Sequence, residues 1–146
     1  MFKGLFIAAA EFDGRQPTFT IAEVKMHPVF DEKLNKERDK GTVWFKETDR
    51  GFVLCRTNGA CLAALFGTDT REWVGKRVTL YATEVKFGRD TVLGIRIKGS
   101  PDLERDVLAE VKLPRRKAFT MRMVPTGKGG EPAVVADDAP EPGSDG

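Results

Sequence analysis

The sequence predicts a mainly β domain, a small five-stranded barrel with one helix, followed by a flexible acidic tail. Short runs rich in Val, Ile, Thr and aromatic residues recur along the chain between Gly-containing turns, which is typical of strands. Only residues 60–66 place apolar side chains convincingly at helical spacing. Residues 125–146 consist mainly of Pro, Ala, Gly and acidic residues, a composition that cannot bury enough apolar surface to fold.

Five strands are predicted before residue 100. In the first, residues 17–26, Phe19 and Ile21 share one parity and Val24 and Met26 the other, which indicates a bulge or a strand that curves until it changes faces. The other four strands are predicted at residues 41–46, 51–56, 76–87 and 91–98, with turns at 48–51 and 88–90.

The predicted helix begins after Thr57 or Asn58, which are good N-cap residues, and ends at Gly67. Leu62, Leu65 and Phe66 form its apolar face. A second short helical turn is predicted over residues 68–73.

The remaining segments are predicted from composition and weaker patterns. Residues 31–40 are almost entirely polar or charged and are interpreted as a long exposed loop or a hairpin tip. Residues 101–111 are predicted to form a short helix and residues 117–124 a last strand. The domain is therefore predicted to span residues 1–124, with a disordered tail over 125–146.

The order of three strands, a helix and two further strands, with a long bent first strand, is that of the OB-fold. This five-stranded Greek-key barrel binds oligonucleotides and oligosaccharides. Other small barrels and α+β sandwiches share the order and remain alternatives.

Charge divides the chain into two parts. The formal net charge is +2, but residues 129–146 contain five acids and no Lys or Arg. Removing those five from 22 acids leaves 17 against 24 bases, so residues 1–128 carry +7. A basic body with an acidic tail favours a polyanionic partner, and the tail would compete with that partner for the basic surface.

One stretch resembles a known group of proteins. Thr57-Asn58 before the helix and Trp73-Val-Gly-Lys76 before the fourth strand are its most specific parts, and Gly94-Ile-Arg-Ile97 follows in the fifth. Over residues 16–98 the chain resembles small phage- and prophage-encoded proteins with an OB-like barrel. The resemblance implies single-stranded DNA binding in phage replication or recombination, in the cytoplasm of a bacterial host.

A groove for single-stranded DNA needs cations and aromatic faces on which bases stack. We expect the aromatic side chains to come from the middle strands and the cations from strands and turns. The candidates are Trp44, Phe52 and Tyr81 for stacking, and Lys25, Lys46, Arg56, Lys86, Arg89, Arg96 and Lys98 for phosphate.

Each candidate has a simpler interpretation. A strand aromatic is more often part of the core, and a single basic residue is most simply a solvated charge. Trp44 and Phe45 have opposite parity, so one of them should face outward, whereas Trp73 is expected to be buried in the core.

Two charged segments also have simpler interpretations. Residues 31–40 are near neutral, so on charge alone they make a poor phosphate site. The basic run 115–117 is interpreted either as a phosphate contact or as a plain turn.

The common catalytic signatures are missing from the sequence. It has one histidine, and it lacks the P-loop, HExxH and GxSxG motifs. Cys55 and Cys61 lack the companion ligands of a zinc site and are interpreted as core or half-buried thiols. We expect no enzyme, no cofactor and no metal, with a carboxylate-built, metal-dependent nuclease as the remaining enzymatic alternative.

The expected partners are single-stranded DNA, replication or recombination proteins reached through the acidic tail, and a second copy of the chain in a homodimer. No apolar run approaches bilayer length, so no membrane partner is expected. The alternative function is that of a protein–protein adaptor built on the same barrel. Bacterial single-stranded DNA-binding proteins also carry an acidic tail, but theirs ends in a hydrophobic tip and this one ends Gly-Ser-Asp-Gly.

Overall fold

The computed structural model describes residues 6–31, 34–87 and 89–127. Seven strands and one α-helix account for most of these residues. In chain order they are β1 (Thr18–Asp31), β2 (Lys36–Phe45), β3 (Gly51–Val53), α1 (Arg56–Phe66), β4 (Arg77–Phe87), β5 (Asp90–Ser100), β6 (Val107–Val111) and β7 (Phe119–Pro125). Two 3₁₀ turns, Ala9–Phe12 and Thr70–Trp73, precede β1 and β4.

The strands form one sheet in the order β3-β2-β1-β4-β5-β7-β6. Neighbours are antiparallel, except that β5 and β7 run parallel through the pairs Gly99–Val124 and Ser100–Pro125. In the described ranges β3 and β6 remain the outer strands, so the sheet is open. The mainly β prediction is confirmed. A closed five-stranded barrel is not observed, because β3 and β5 do not pair and two further strands extend the sheet.

The predicted irregularity of the first strand is confirmed. β1 pairs with β4 over Thr18–Thr20 and with β2 from Ile21 onward, and its register with β2 shifts between Ile21 and Glu23. The extra residue, Ala22, lets both Ile21 and Val24 reach the core side despite their opposite parity.

The charged run 31–40 forms the distal part of the β1–β2 hairpin rather than a long loop. β1 continues to Asp31, and β2 begins at Lys36, which pairs with it. The hairpin-tip alternative is therefore the correct one.

The helix begins two or three residues earlier than predicted. Cys55, not Thr57 or Asn58, occupies the N-cap position of α1, and its side chain makes no capping hydrogen bond. Thr57 and Asn58 lie buried in the first turn. Gly67 ends the helix as predicted, with φ of 103° and its N–H bonded to the Ala63 carbonyl.

The predicted helix over residues 101–111 is wrong. Residues 107–111 form β6, which pairs antiparallel with β7. Val107, Ala109 and Val111 turn inward while Leu108 and Glu110 are exposed, and this alternation with period two fits a strand. The predicted last strand is confirmed as β7. It extends to Pro125, and the predicted tail beyond residue 127 lies outside the described residues.

The core lies between α1 and the inner face of the sheet. Rings from three strands stack in series: Phe19 on Phe45 at 4.7 Å and Phe45 on Phe52 at 6.3 Å between centroids. Trp73 is buried, as predicted, and its indole N–H donates to the Gly67 carbonyl at 2.8 Å. Other fully buried members of the core are Ile21, Val43, Leu62, Leu80, Ile97 and Met123.

Within the described ranges, no helix combines the length and the apolar character that crossing a bilayer requires.

Candidate nucleic-acid interface

The distal β1–β2 hairpin separates its charges by face. Side chains alternate along a strand, so Lys36, Arg38 and Lys40 project from one side of β2 and Glu37 and Asp39 from the other. His27 pairs with Lys40, and Lys25 with Thr42, on the same side as the three cations. We call Lys25, His27, Lys36, Arg38 and Lys40 the basic face.

Ion pairs confirm which side chains share the basic face. The Lys25 ammonium lies 3.0 Å from the Glu23 carboxylate, and the Arg38 guanidinium lies 3.2 Å from that of Asp31. Among the described residues, Lys36 and Lys40 have no acidic partner. Four cations therefore meet two carboxylates on this side, which leaves an excess of positive charge.

The expectation that residues 31–40 make a poor phosphate site rested on their net charge. Net charge hides the segregation, because it adds the two faces together. The sequence signal that identifies the face is the strict alternation Lys36-Glu-Arg-Asp-Lys40. This alternation places the cations on one face only if the segment forms a strand.

The opposite face of the hairpin is acidic and apolar. Glu37 and Asp39 lie across from Phe30 and Pro28. Met26 is 62% exposed and Phe30 54% exposed. An exposed apolar strip of this kind is a candidate protein contact.

Trp44 points to the same side as the basic face but is packed rather than open. Its ring contacts His27 edge-on at 5.5 Å, and His27 contacts Phe6 at 5.7 Å. A Cβ added to Gly51 would lie 3.0 Å from the Trp44 ring, so glycine is what allows the indole to lie flat on β3. The indole N–H is buried and has no hydrogen-bond partner among the described residues.

Phe52 does not offer the open stacking surface that the strand pattern predicted. It is 3% exposed, and its ring packs against Phe45 in the core. On β3 the residues on the outer side are Gly51 and Val53, which pair with Trp44 and Thr42.

A second aromatic–cation group lies on the outer face of β4 and β5. Tyr81 is half-buried and pairs with Arg96. The Lys98 ammonium lies 5.3 Å from the centre of the Tyr81 ring, within cation–π range. The structure thus brings together three of the predicted residues.

The other predicted cations occupy separate elements. All are exposed: Lys46 just after β2, Arg56 at the first residue of α1, and Lys86 and Arg89 on either side of the β4–β5 turn. The basic run 115–117 is exposed in the β6–β7 connection, where the Lys112 ammonium binds the Arg116 carbonyl.

A groove lies between β3 and β5, where closure of the sheet would otherwise occur. Its volume is about 290 Å³. Its walls come from the segment before β1, from β3, from the start of α1 and from β5, and they include Phe6, Phe52, Cys55, Asn58, Ile95 and Arg96. Since three strands separate β3 from β5 in the sheet order, the sheet must curl strongly for both to line one groove.

The two cysteines differ in environment, and both are free thiols. Cys61 is buried as predicted, and burial raises the pKa of its thiol to about 12. Cys55 is exposed at the groove instead of half-buried. In the part of the chain that the structure describes, no three side chains of the His, Cys, Asp and Glu types come together as metal ligands.

No protein-family model, no curated protein and no solved structure matches this chain.

Proposed function

We propose that this protein binds single-stranded DNA, largely without reading its sequence, with the basic face as its main contact. The observation that carries the proposal is the segregation of charge on the β1–β2 hairpin. Lys36, Arg38 and Lys40 recur at intervals of roughly 6.6–6.8 Å along β2, which suits an extended polyanion. Attraction of this kind reads phosphates and carries no sequence information.

The strand connections support an OB-like interpretation of the fold. β1 pairs with both β2 and β4, α1 follows β3, and β4 pairs with β5. We propose that this is an OB-like arrangement opened at the β3–β5 junction. The setting we propose, phage DNA replication or recombination, rests on the resemblance of residues 16–98 to phage-encoded proteins.

A protein–protein adaptor is the second candidate, and the exposed Met26 and Phe30 favour it. An adaptor would use the acidic, apolar side of the hairpin and leave the basic face free. A partner captured independently of nuclease treatment, by a protein that fails to bind oligonucleotides, would favour the adaptor over DNA binding.

The direct test is titration of the protein with oligo-dT at low and high salt, followed by tryptophan fluorescence. We expect binding at low salt, with an affinity that falls by a log–log slope of about −0.7 per phosphate contact. Trp73 is buried and hydrogen-bonded, so a fluorescence change should come from Trp44. The Trp44→Phe variant should bind while losing most of that change. No binding to oligo-dT at low salt would end the proposal.

Deletion of residues 129–146 tests the role proposed for the tail. The segment carries five acids and no bases, so it should compete with DNA for the basic face. We expect the truncated protein to bind oligo-dT several-fold more tightly at low salt, with the difference vanishing at high salt because salt screens the competition. Equal affinities at low salt would show that the tail does not compete.

A further inference from the structure

One residue that lines the groove between β3 and β5 has a buried polar atom without a hydrogen-bond partner among the described residues. Asn58 lines the groove and is 3% exposed. Its Nδ2 donates to the Ile95 carbonyl at 2.9 Å. A carbonyl accepts only from a donor, so this bond fixes which way the amide points. The Oδ1 atom is then left without a donor among the described residues, which is unfavourable for a buried acceptor.

The same groove contains positive charge. The Arg96 guanidinium lies 3.2 Å from the Ile95 carbonyl and 3.7 Å from the Cys55 sulfur. A guanidinium has five N–H donors, so these contacts leave others for a ligand. Cys55 occupies the N-cap position of α1, but its side chain accepts no hydrogen bond from the helix. The backbone N–H groups of the first turn therefore have no side-chain cap, and this end of the helix carries partial positive charge.

The walls set the shape of the ligand. Phe6 and Ile95 supply apolar surface, and the volume of about 290 Å³ suits a single small group rather than an extended chain. A ligand that fits the groove therefore has a flat apolar body, an N–H group at its edge that donates a hydrogen bond to Asn58 Oδ1, and an anionic group that pairs with the Arg96 guanidinium.

We infer that this groove seats one nucleotide of a bound single strand, and this rests on the proposed function. The base lies against the apolar wall with an N–H of its Watson–Crick edge donated to Asn58 Oδ1, and its phosphate lies at Arg96 and the start of α1. All four bases carry an N–H on that edge, so the contact requires no particular sequence. The groove thereby adds a base-holding site to a protein whose basic face by itself reads only phosphates.

The rate at which the Cys55 thiol is modified measures whether the groove is occupied. It is exposed there, whereas Cys61 is buried and has a thiol pKa of about 12. A maleimide should therefore modify Cys55 alone in the folded protein. Saturating oligo-dT should slow that modification at least tenfold, as followed by mass spectrometry, while anisotropy of labelled oligo-dT measures binding in the same samples.

The decisive variant is Arg96→Gln, with Arg105→Gln as its control. Both remove one positive charge, and Arg105 lies on the exposed connection before β6, outside the groove. Because Arg96 contacts Cys55, each variant is judged by its modification rate with oligo-dT relative to its own rate without it. We expect Arg105→Gln to keep the tenfold protection and Arg96→Gln to lose most of it.

The two ideas fail in different ways. If oligo-dT binds but leaves the Cys55 rate unchanged, or if Arg96→Gln keeps full protection, the groove is not a nucleotide site and the proposed function stands. If oligo-dT does not bind at all, the proposed function and the inference that rests on it both fail.

Discussion

Replacing Lys36, Arg38 and Lys40 together with glutamine should weaken oligo-dT binding roughly 10- to 100-fold at low salt, and it should reduce the log–log salt slope by about 2. The three side chains share one face of β2, where Lys36 and Arg38 are exposed and Lys40 is half-buried, so replacing them with glutamine costs the fold little. When a cation that contacts a phosphate is removed, fewer counterions are released on binding. The log–log salt slope measures the number of counterions released. Fluorescence anisotropy at several salt concentrations provides both quantities.

The control for this variant is Glu37→Gln combined with Asp39→Asn in the same strand. These residues alternate with the three cations and lie on the opposite face. If DNA contacts the basic face, neutralising them should leave the salt slope unchanged and alter affinity by less than about threefold through the field alone. A slope that changes equally in both variants would mean that net charge, rather than the basic face, drives binding.

The same control separates the two candidate functions. An adaptor that docks through Met26 and Phe30 would depend on the acidic side of the hairpin. Capture of its partner would then respond to Glu37→Gln with Asp39→Asn and not to changes at Lys36, Arg38 and Lys40.

The substitution with the largest expected effect on stability is Gly99→Ala. Gly99 pairs with Val124 where β5 and β7 run parallel. A Cβ added there would lie 1.8 Å from the Val124 carbonyl oxygen. Because that atom belongs to the backbone, it can move only if β7 moves with it. We expect the free energy of unfolding to fall by about 3 kcal/mol or more in urea titrations.

Gly59→Ala is the matched control, since it adds the same methyl group within α1. Nothing lies within 4 Å of a Cβ at that position. The substitution should raise the free energy of unfolding by about 0.5–1 kcal/mol, because alanine is the better helix former. Similar stabilities for the two variants would show that β5 and β7 do not approach as closely as the Gly99–Val124 pairing requires.

Several elements were predictable because they depend on neighbouring residues. The parity change between Ile21 and Val24 in β1 indicates the bulge, and Gly67 ends α1 where the apolar pattern stops. Both are local effects of backbone conformation and side-chain spacing. The alternation from Lys36 to Lys40 is local as well, but it did not predict the basic face, because that face exists only where this segment forms a strand paired with β1.

Other features depend on contacts between distant segments. Residues 107–111 contain apolar side chains at period two, but whether they form a strand depends on β7, with which they pair. Phe52 was a candidate base platform, although a strand aromatic is more often part of the core, and its contact with Phe45 places it in the core. Local pattern alone does not distinguish such alternatives, since the free-energy difference comes from burial against other elements.

By itself, the sequence determined a mainly β domain, the order of its first five strands around one helix, and a basic body preceding an acidic tail. These follow from propensity, periodicity and charge, which are properties of short stretches. Only the tertiary structure decided that the sheet stays open with seven strands and that Cys55, Asn58 and Arg96 meet in one groove. Arg96 is 41 residues from Cys55 in the chain, and only the curl of the sheet brings them together.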